Sequence, residues 1–397
     1  MTWPMVKLGE IFKITSGGTP SRSKSEYYEN GSIAWIKTGD LHNKFITHAS
    51  EFITEAGLQS SSTRIYPKNT ILVAMYGATI GACSILKIEA CTNQACAAFT
   101  PNEKVDTLFL YYLLKYSQPK FINAGAGGAQ PNISATFLKN FEIPLPPLDE
   151  QKRIAAILDK ADAIRQKRQQ AIALADDFLH SVFLDMFGDP VTNPKEWDIY
   201  PLRNGITNIT AGWSANGENH SCGDDEIGVL KISAVTSGIF KPNENKVVSS
   251  SNIPSNKKLV FPRKGDLLFS RANTRELVGA TCIVDSDYDN VFLPDKLWVI
   301  NLNSNELLPE YVHMLVQHPK FKECLTSQAT GSSGSMLNIS KVKFEGTLAP
   351  YPSLDVQQRF KDIFWKVMTC NALTNDSKIN FDNQFNALSQ KAFSGQL

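Results

Sequence analysis

The sequence PLPPLDEQKRIAAILDKAD at residues 144–162 decides how the chain is organised. Its three prolines fix φ and lack amide hydrogens, so the chain arrives extended rather than helical. Asp149 and Glu150 then supply the acidic groups that favour a helix N-terminus. The helical pattern continues to Gly188-Asp189-Pro190, where a glycine followed by a proline ends it. About 38 residues at 1.5 Å each predict a rod of roughly 57 Å.

Apolar or small residues recur along this rod with alternating spacings of three and four. This spacing is typical of the seam of a coiled coil, so the helix needs a partner. Arg168 interrupts the seam, and we expect it to set the register or to take part in docking. The other predicted seam residues are Ile154, Ile157, Ala161, Ile164, Ala171, Ala175, Phe178 and Val182.

Segments of the first half recur in the same order in the second half. YPKNTIL at 66–72 matches FPRKGDL at 261–267, and SQPKF at 117–121 matches QHPKF at 317–321. LDEQ at 148–151 matches LDVQ at 354–357, so a second long helix is expected there. A period near 200 residues is too long for a solenoid and indicates two copies of one domain.

Each copy combines strand and helix patterns. The apolar run 70–75 predicts a buried strand, and the spacing of apolar residues over 106–116 predicts a helix. We therefore predict an α+β fold in which two repeat-related mixed α/β domains are separated by two long helices. These helices are expected to form an antiparallel coiled coil with pseudo-two-fold symmetry. The predicted parts are domain 1–148, helix 149–189, domain 190–354 and helix 355–397, with Phe360, Ile363 and Val367 in the seam of the second helix.

The composition excludes several classes of protein. The 397 residues include 40 Lys+Arg and 39 Asp+Glu, so the net charge is +1 and any DNA-binding surface has to be local. No apolar run is long enough to cross a bilayer and the N-terminus lacks a signal-peptide pattern, which predicts a cytoplasmic location. The seven cysteines form no Cys-x-x-Cys pair and are expected to be free thiols.

Motifs of catalytic and cofactor sites are missing from the sequence. There is no Walker-type phosphate loop and no His-Glu-x-x-His zinc motif. The glycine-rich stretch 125–128 lacks the flanking strand and helix of a nucleotide loop, and Pro294-Asp295-x-Lys lacks the second element of a metal-dependent nuclease. Together with the duplication, this predicts a binding scaffold without catalysis, metal or cofactor of its own.

Several motifs resemble those of the specificity subunits of type I restriction-modification enzymes. They are LGEI at 8–11, SGGTPS at 16–21, GATIG at 77–81, PPLDEQKRIAAIL at 146–158, FGDP at 187–190 and the final AFSGQL at 392–397. The second copy departs from this pattern, since AGWS at 211–214 replaces GGTP at 17–20 and VQQRF at 356–360 replaces EQKRI at 150–154.

The resemblance implies two target recognition domains, each reading one half of a bipartite DNA site. It also implies that the helices are spacers that dock two modification subunits. Those partners would bind S-adenosylmethionine and methylate adenine, and restriction subunits with motor and nuclease activity would cut the DNA. None of these activities is expected in this chain, whose role would lie in DNA methylation and phage defence.

The loops between matching framework segments differ in sequence, as two readers of different half-sites should. Base edges in the major groove are contacted by Arg, Lys, Asn, Gln, Ser or Thr on loops or helix ends. The first-domain candidates are Thr19, Ser21, Arg22, Lys24, Lys37, Lys44, Tyr76, Thr79, Gln130 and Asn132. The second-domain candidates are Trp213, Ser214, Asn216, Lys231, Ser270, Arg271, Asn273, Arg275, Ser332 and Ser335.

The stretch 270–275, SRANTR, is the strongest single candidate because it leaves an apolar strand and groups several base-reading residue types. Two alternatives remain open at this stage. The chain could serve another methylation or phage-defence system with a solitary methyltransferase, or it could be a coiled-coil adaptor whose domains bind protein. Near-neutral charge favours the adaptor, whereas the divergent polar loops argue against it.

Overall fold

The computed structural model describes residues 3–125, 132–327, 329 and 337–397, with the side chains of 372–381 left aside. The candidates Gln130, Ser332 and Ser335, and most of the glycine-rich stretch 125–128, lie outside the described residues. The chain forms two compact units. The first unit comprises Met1–Gln170 and Asn375–Leu397, and the second comprises Ala171–Thr374. Each unit therefore contains one globular domain and a part of both long helices.

The first unit contains ten strands and five short helices among its described residues, followed by the long helix α6. In chain order they are β1 (Met5–Lys7), α1 (Leu8–Ile11), β2 (Thr15–Ser16), β3 (Ile33–Ile36), β4 (Phe45–Ile46), β5 (Glu51–Ile53), α2 (Glu55–Gln59), β6 (Ile71–Ala74), β7 (Cys83–Leu86), β8 (Cys91–Thr92), β9 (Cys96–Phe99), α3 (Thr107–Tyr116), α4 (Gln118–Gly125), α5 (Ala135–Asn140), β10 (Glu142–Pro144) and α6 (Leu148–Phe187).

Strand β6 lies at the centre of the main sheet of this unit, whose strand order is β2-β9-β6-β7-β4. Its alternate residues face two different cores: Ile71 and Val73 pack into one, Leu72 and Ala74 into the other. A strand buried on both faces has to be apolar throughout, which explains the continuous apolar run in the sequence. A second sheet has the order β5-β3-β8, and β1 pairs with β10.

The second unit starts in α6 and continues with eleven strands and four helices among its described residues. They are β11 (Ile199–Pro201), β12 (Ile206–Ala211), β13 (Gly228–Leu230), β14 (Asn245–Val247), β15 (Leu267–Ser270), β16 (Ala272–Asn273), β17 (Thr281–Ile283), β18 (Val291–Phe292), β19 (Leu297–Leu302), α7 (Pro309–Gln317), α8 (Pro319–Ser327), β20 (Leu337–Asn338), α9 (Lys341–Gly346), β21 (Leu348–Pro350) and α10 (Leu354–Phe393).

The strand order of the second unit repeats that of the first. Its main sheet is β12-β19-β15-β17, its smaller sheet is β14-β13-β18, and β11 pairs with β21. Each smaller sheet combines one antiparallel and one parallel pairing about its central strand. The predicted duplication of a mixed α/β domain is confirmed by this shared topology.

Buried glutamines fix the start of both long helices. Gln151 is 1% exposed, and its Nε2 donates to the carbonyls of Lys104 and Pro146 at 3.0 and 2.9 Å while its Oε1 accepts from the Asp106 amide at 2.9 Å. The amide therefore ties the prolines, the loop before α3 and the first turn of α6 together.

Gln357 repeats this arrangement at the start of α10. It is fully buried, donates to the carbonyls of Glu306 and Pro352 at 2.9 and 2.8 Å, and accepts from the Leu308 amide at 2.8 Å. Its matching partners show that α7 and α10 of the second unit correspond to α3 and α6 of the first.

Within each unit, α6 and α10 pack antiparallel. In the first unit Arg153 Nη2 donates to the Leu397 main-chain oxygen at 3.0 Å, and Arg165 Nη1 lies 3.6 Å from Asp382 Oδ1. In the second unit later residues of α6 again meet earlier residues of α10, since the Phe183 ring centroid lies 5.8 Å from that of Phe360. The antiparallel coiled coil predicted from the sequence is confirmed.

The buried face of α6 is rotated from the predicted seam. Ile164 and Phe178 are 39% and 52% exposed, so they lie outside the buried face. The side chains that are buried instead include Gln151, Ala155, Leu158, Asp162, Leu179, Phe183 and Phe187. Gln151 and Asp162 are polar and hydrogen-bonded. The spacing of apolar residues in the sequence therefore could not assign them to the buried face. Among the other predicted seam residues, Ile154 and Phe360 are buried, and Ile157, Ala161, Arg168, Ile363 and Val367 are partly exposed.

We predict that Gln151→Leu and Gln357→Leu each lower the free energy of unfolding by about 1–3 kcal/mol, because each leaves buried amide and carbonyl groups without partners. Urea unfolding of the full chain measures this change as a lower midpoint. Gln358→Leu is the matched control, since Gln358 is exposed next to Gln357 and its loss is expected to cost less than about 0.5 kcal/mol. Equal midpoints for all three variants would contradict the role assigned to the buried amides.

Candidate nucleic-acid interface

A row of polar side chains follows the edge of the first domain where β6 ends and β9 begins. Thr19 Oγ1 donates to Gln94 Oε1 at 2.5 Å, just before β9. Tyr76, two residues after the end of β6, forms an antiparallel bridge with Asn132. Backbone hydrogen bonds join the segments, since the Met75 amide donates to the Ala95 carbonyl at 2.8 Å. We call Thr19, Tyr76, Gln94 and Asn132 the first rim; all but Gln94 were predicted.

Two glycines bring Thr19 to this edge. A Cβ on Gly17 would lie 1.7 Å from the Thr92 carbonyl oxygen, so only glycine fits there. The Gly18 amide donates to the same carbonyl at 3.0 Å, and the Gly18 carbonyl accepts from Trp35 Nε1 at 3.0 Å. The Ser-Gly-Gly-Thr sequence is therefore a tight crossing over β8 that ends in an exposed hydroxyl.

A cation cluster lies beside the first rim. The Arg22 guanidinium stacks over Tyr28 and Trp35, 4.5 and 5.0 Å from the ring centroids. Glu51 binds both Lys37 Nζ and Arg22 Nη2, the latter at 2.7 Å. The hydrogen bond from Lys37 and the charge of Arg22 hold the pKa of Glu51 below its usual range. One carboxylate thus orients two of the predicted DNA-binding cations.

The second domain has an equivalent edge. Ser214 Oγ donates to Asp295 Oδ1, just before β19, and the Asp295 amide donates back to Ser214 Oγ at 3.3 Å. Arg271 Nε donates to the Asp295 carbonyl at 2.9 Å, and Arg271 Nη1 donates to Asn338 Oδ1 at 3.0 Å. Asn338 pairs with Ala272 across β16 and β20. We call Ser214, Arg271, Asp295 and Asn338 the second rim.

The backbone corrects the sequence alignment of the two copies by one residue. A Cβ on Gly212 would lie 1.9 Å from the Leu293 carbonyl oxygen, and the Trp213 amide donates to that oxygen at 2.9 Å. Gly212 and Trp213 therefore occupy the places of Gly17 and Gly18, and Ser214 takes the place of Thr19. Trp213 stacks on Phe292 with an interplanar angle of 14°.

Two of the predicted DNA-binding residues, Ser270 and Lys44, are turned into the interior of the domain. Ser270 is fully buried in β15, which like β6 is covered on both faces. Lys44 is turned inward: its Nζ donates to Tyr112 Oη at 3.0 Å and to Asp159 of α6, and burial lowers its pKa. A loop position had suggested exposure for both, but the tertiary packing covers them.

The remaining described candidates lie at or near the surface. Exposed are Thr19, Ser21, Arg22, Lys24, Tyr76, Asn132, Ser214, Asn216 and Arg275. Partly exposed are Lys37, Thr79, Trp213, Lys231, Arg271 and Asn273.

Four residues of this interface were not predicted, namely Glu51, Gln94, Asp295 and Asn338. Gln94 and Asp295 precede equivalent strands of the two copies, and this position is the pattern that could have identified them. Asn338 belongs to the repeated Asn-Ile-Ser whose first copy contains Asn132. Glu51 carries no sequence pattern that marks it; only the fold brings it to Arg22 and Lys37.

Groups that would indicate a metal site or a membrane protein do not occur in the described part of the chain. No cluster of three or more His, Cys, Asp or Glu side chains there could hold a metal ion. Nor is any described helix both long and apolar enough to span a membrane.

Comparison with known proteins identifies relatives of both the sequence and the fold. Residues 1–174 match the family of the type I restriction modification DNA specificity domain. The EcoR124I/EcoR124II specificity subunit of Escherichia coli is 34% identical over 162 residues, which are 40% of this chain and 40% of that protein. The MjaIX specificity subunit of Methanocaldococcus jannaschii is 30% identical over 304 residues, 72% of this chain and 61% of that protein. These matches thus span less than two thirds of either relative.

The fold has a solved counterpart over its whole length. The crystal structure of the type I restriction-modification system S subunit from M. genitalium superposes with a TM-score of 0.63 over 99% of this chain and 96% of that chain, at 15% identity. This likeness concerns the fold. Residues 1–174 therefore resemble the type I restriction modification DNA specificity domain family, and the resemblance of the chain to type I specificity subunits, first drawn from its motifs, is confirmed.

Proposed function

We propose that this chain is the DNA-recognition subunit of a type I restriction-modification complex. Each globular domain reads one half of a bipartite target through its rim, and the two long helices set the spacing between the readers and dock two modification subunits. The observation that carries this proposal is the pair of rims: they occupy the same place in the repeated fold but present different hydrogen-bonding groups.

The difference between the rims is of the kind that base reading requires. At equivalent places the first rim presents the Gln94 amide and the second the Asp295 carboxylate, each bonded to a hydroxyl from the crossing loop. An amide suits adenine, whereas a carboxylate accepts from the amino group of cytosine. Arg22 and Lys24 flank the first rim and suit the phosphate contacts that position a protein on DNA. The two rims share a backbone framework but carry different polar side chains. This difference supports the recognition of two different half-sites.

The length and the exposed side chains of the two helices suit their proposed roles, which are to set the spacing between the two domains and to bind the modification subunits. Each spans 40 residues, about 60 Å at 1.5 Å per residue. Leu174 and Phe178 on α6 are 67% and 52% exposed, and such large apolar side chains are suited to bind a partner protein. The sequence analysis placed Phe178 in the seam between the helices; because it lies outside the buried face, we assign it to docking instead.

Catalysis is assigned to the partner subunits in this proposal. The modification subunits would bind S-adenosylmethionine and methylate adenine, and motor-nuclease restriction subunits would cut the DNA. The family of the first 174 residues supports a specificity role for this chain.

Sequencing of DNA methylation in cells with and without the gene tests the whole proposal: a bipartite methylated motif should vanish on deletion and return with the gene. A methylation pattern unchanged by deletion would refute it.

We predict that Arg271→Ala weakens DNA binding by roughly 1–3 kcal/mol and relaxes specificity at the second half-site. Arg271 joins Asp295 to Asn338, so its removal disturbs both neighbours as well as any base contact of its own. Arg271→Lys is not expected to restore binding, because an ammonium cannot reproduce the guanidinium fork. Titration of the assembled complex with duplexes that vary one base pair at a time measures both effects.

Arg263→Ala is the matched control for this experiment. Arg263 precedes β15 and pairs with Asp289 at 2.6 Å, whereas Arg271 follows the same strand. Both variants lose one positive charge, so a purely electrostatic effect would weaken binding equally. Equal losses, with discrimination at the second half-site intact, would remove Arg271 from the recognition surface.

We predict that Leu174→Asp with Phe178→Asp abolishes assembly with the modification subunit and leaves the thermal stability of the free chain nearly unchanged, because both side chains are already exposed. Size-exclusion chromatography of the mixed subunits measures assembly. Ala173→Asp is the control, because this exposed residue lies about 140° around the helix from Phe178. Normal assembly of the double variant would show that docking uses another surface.

A further inference from the structure

A lysine of the first unit reaches from the main sheet into the space between two helices. Lys44 directly precedes β4, and its Nζ donates to Tyr112 Oη of α3 and to Asp159 of α6. The side chain is only 13% exposed. We call the space that it fills the slot. In this unit the slot holds a methylene chain that ends in an ammonium group.

In the second unit a glycine takes the place of this lysine. Phe45, which follows Lys44, pairs in parallel with Ile85 of β7. Ile239 forms the corresponding parallel bridge with Ile283 of β17, and β17 holds the place of β7 in the repeated sheet. Gly238 therefore corresponds to Lys44, and it offers no side chain to fill the slot.

A cavity of about 270 Å³ occupies the slot of the second unit. This is slightly below the volume of pockets that hold drug-sized molecules, so it suits a smaller ligand. Gly238 lies in its wall together with residues of α6, α7 and α10. The apolar side chains of the wall are Leu179, Ile239, Met314, Phe364 and Met368.

Asp176 supplies a carboxylate to the cavity wall. Its counterpart in the first unit is Asp382, because the two residues precede Phe187 and Phe393 at the same spacing. These phenylalanines hold equivalent places. The ring centroid of Phe187 lies 4.8 Å from that of Tyr311 in α7, and the ring centroid of Phe393 lies 5.8 Å from that of Phe109 in α3. The same acid thus occurs at the same place in both units.

The cationic partner of this acid is present only in the first unit. There Arg165 Nη1 lies 3.6 Å from Asp382 Oδ1. Asn371 holds the place of Arg165, since the two follow Gln357 and Gln151 at the same spacing, and its amide nitrogen lies 3.4 Å from Asp176 Oδ1. Among the described residues, no basic side chain forms an ion pair with Asp176, and partial burial raises its pKa.

Two histidines also line the cavity, and the buried one does not repel a cation. His313 is buried, its Nδ1 lies 2.9 Å from Thr281 Oγ1, and its Cε1 lies 4.0 Å from the point where a Cβ on Gly238 would stand. Burial lowers the pKa of His313 to about 4, so the ring is neutral near pH 7. His180, the remaining histidine of the wall, is exposed on α6.

We propose that this cavity binds a small free alkylammonium cation, whose charged group pairs with Asp176 and whose carbon chain lies along the apolar wall. In the first unit the slot holds an alkyl chain that ends in an ammonium, and this ammonium binds Tyr112 and Asp159. In the second unit Met314 and Trp365 hold the places of these two partners, so the acid left for a cation is Asp176, the counterpart of Asp382, whose partner Arg165 is replaced by Asn371. This binding is independent of the DNA-recognition role proposed for the rims.

Titration calorimetry of the full chain with n-butylammonium chloride at constant ionic strength tests the proposal. We expect saturable binding at one site, and no saturable binding of n-butanol, which matches the ligand in shape but carries no charge. Asp176→Asn should weaken binding at least tenfold, and Asn371→Arg should abolish it by restoring the ion pair seen in the first unit. Asp177→Asn is the matched control: Asp177 is exposed, as Asp176 is, but lies outside the cavity wall, so binding should stay within twofold of wild type.

Two results would overturn the proposal. One is the absence of saturable n-butylammonium binding by the folded wild-type chain at tens of millimolar. The other is equal affinity of wild type and Asp176→Asn, which would show that the carboxylate does not hold the cation. Thermal unfolding of each variant verifies that a loss of binding occurs in a folded protein, and Asp176→Asn is close enough in shape to provide this check if Asn371→Arg does not fold.

Discussion

The architecture depends on two buried glutamine amides. At the start of each long helix the chain arrives through prolines, which lack amide hydrogens, and the carbonyls of Pro146 and Pro352 need donors. Gln151 and Gln357 supply these donors and at the same time bind the loops before α3 and α7, respectively. A single side chain therefore fixes both the direction and the rotation of a 40-residue helix relative to its domain. Any error at this junction would be multiplied along the rod.

The two units share a frame and differ in how its interior is filled. In the first unit the buried face of α6 includes a charged pair: Asp162 is 1% exposed and binds Arg165 at 2.7 Å. In the second unit Met368 and Asn371 hold the places of these two residues, since they follow Gln357 at the same spacing as Asp162 and Arg165 follow Gln151. A charged face does not suit an apolar groove, because burying an ion without its partner costs several kcal/mol. The difference favours the pairing of each helix segment with its own domain.

The rims show the same principle at the surface. A glycine crossing over the neighbouring strand fixes the backbone in both domains, and it tolerates no side chain at Gly17 or Gly212. The position after the crossing is then free to vary within the hydroxyl residues, and its partner varies from Gln94 to Asp295. Constant backbone geometry combined with variable polar groups allows one fold to present different recognition surfaces without a change in its core.

The sequence by itself determined the duplication, the two long helices, their antiparallel pairing and the resemblance to type I specificity subunits. Local sequence patterns predict these properties: prolines precede a helix, matching segments recur in the same order, and a glycine followed by a proline ends the helix. It also located the loops that form the rims, including Thr19, Tyr76, Ser214 and Arg271.

Only the tertiary structure decided which face of α6 is buried and which loop residues reach the surface. The spacing of apolar residues predicted that Ile164 and Phe178 lie in the seam. The buried face instead includes the polar Gln151 and Asp162, whose burial depends on their hydrogen-bond partners. Lys44 turns inward for the same reason, since its partners Tyr112 and Asp159 are distant in sequence. Burial of a polar group depends on partners that a local pattern does not contain, and only the folded chain brings those partners together.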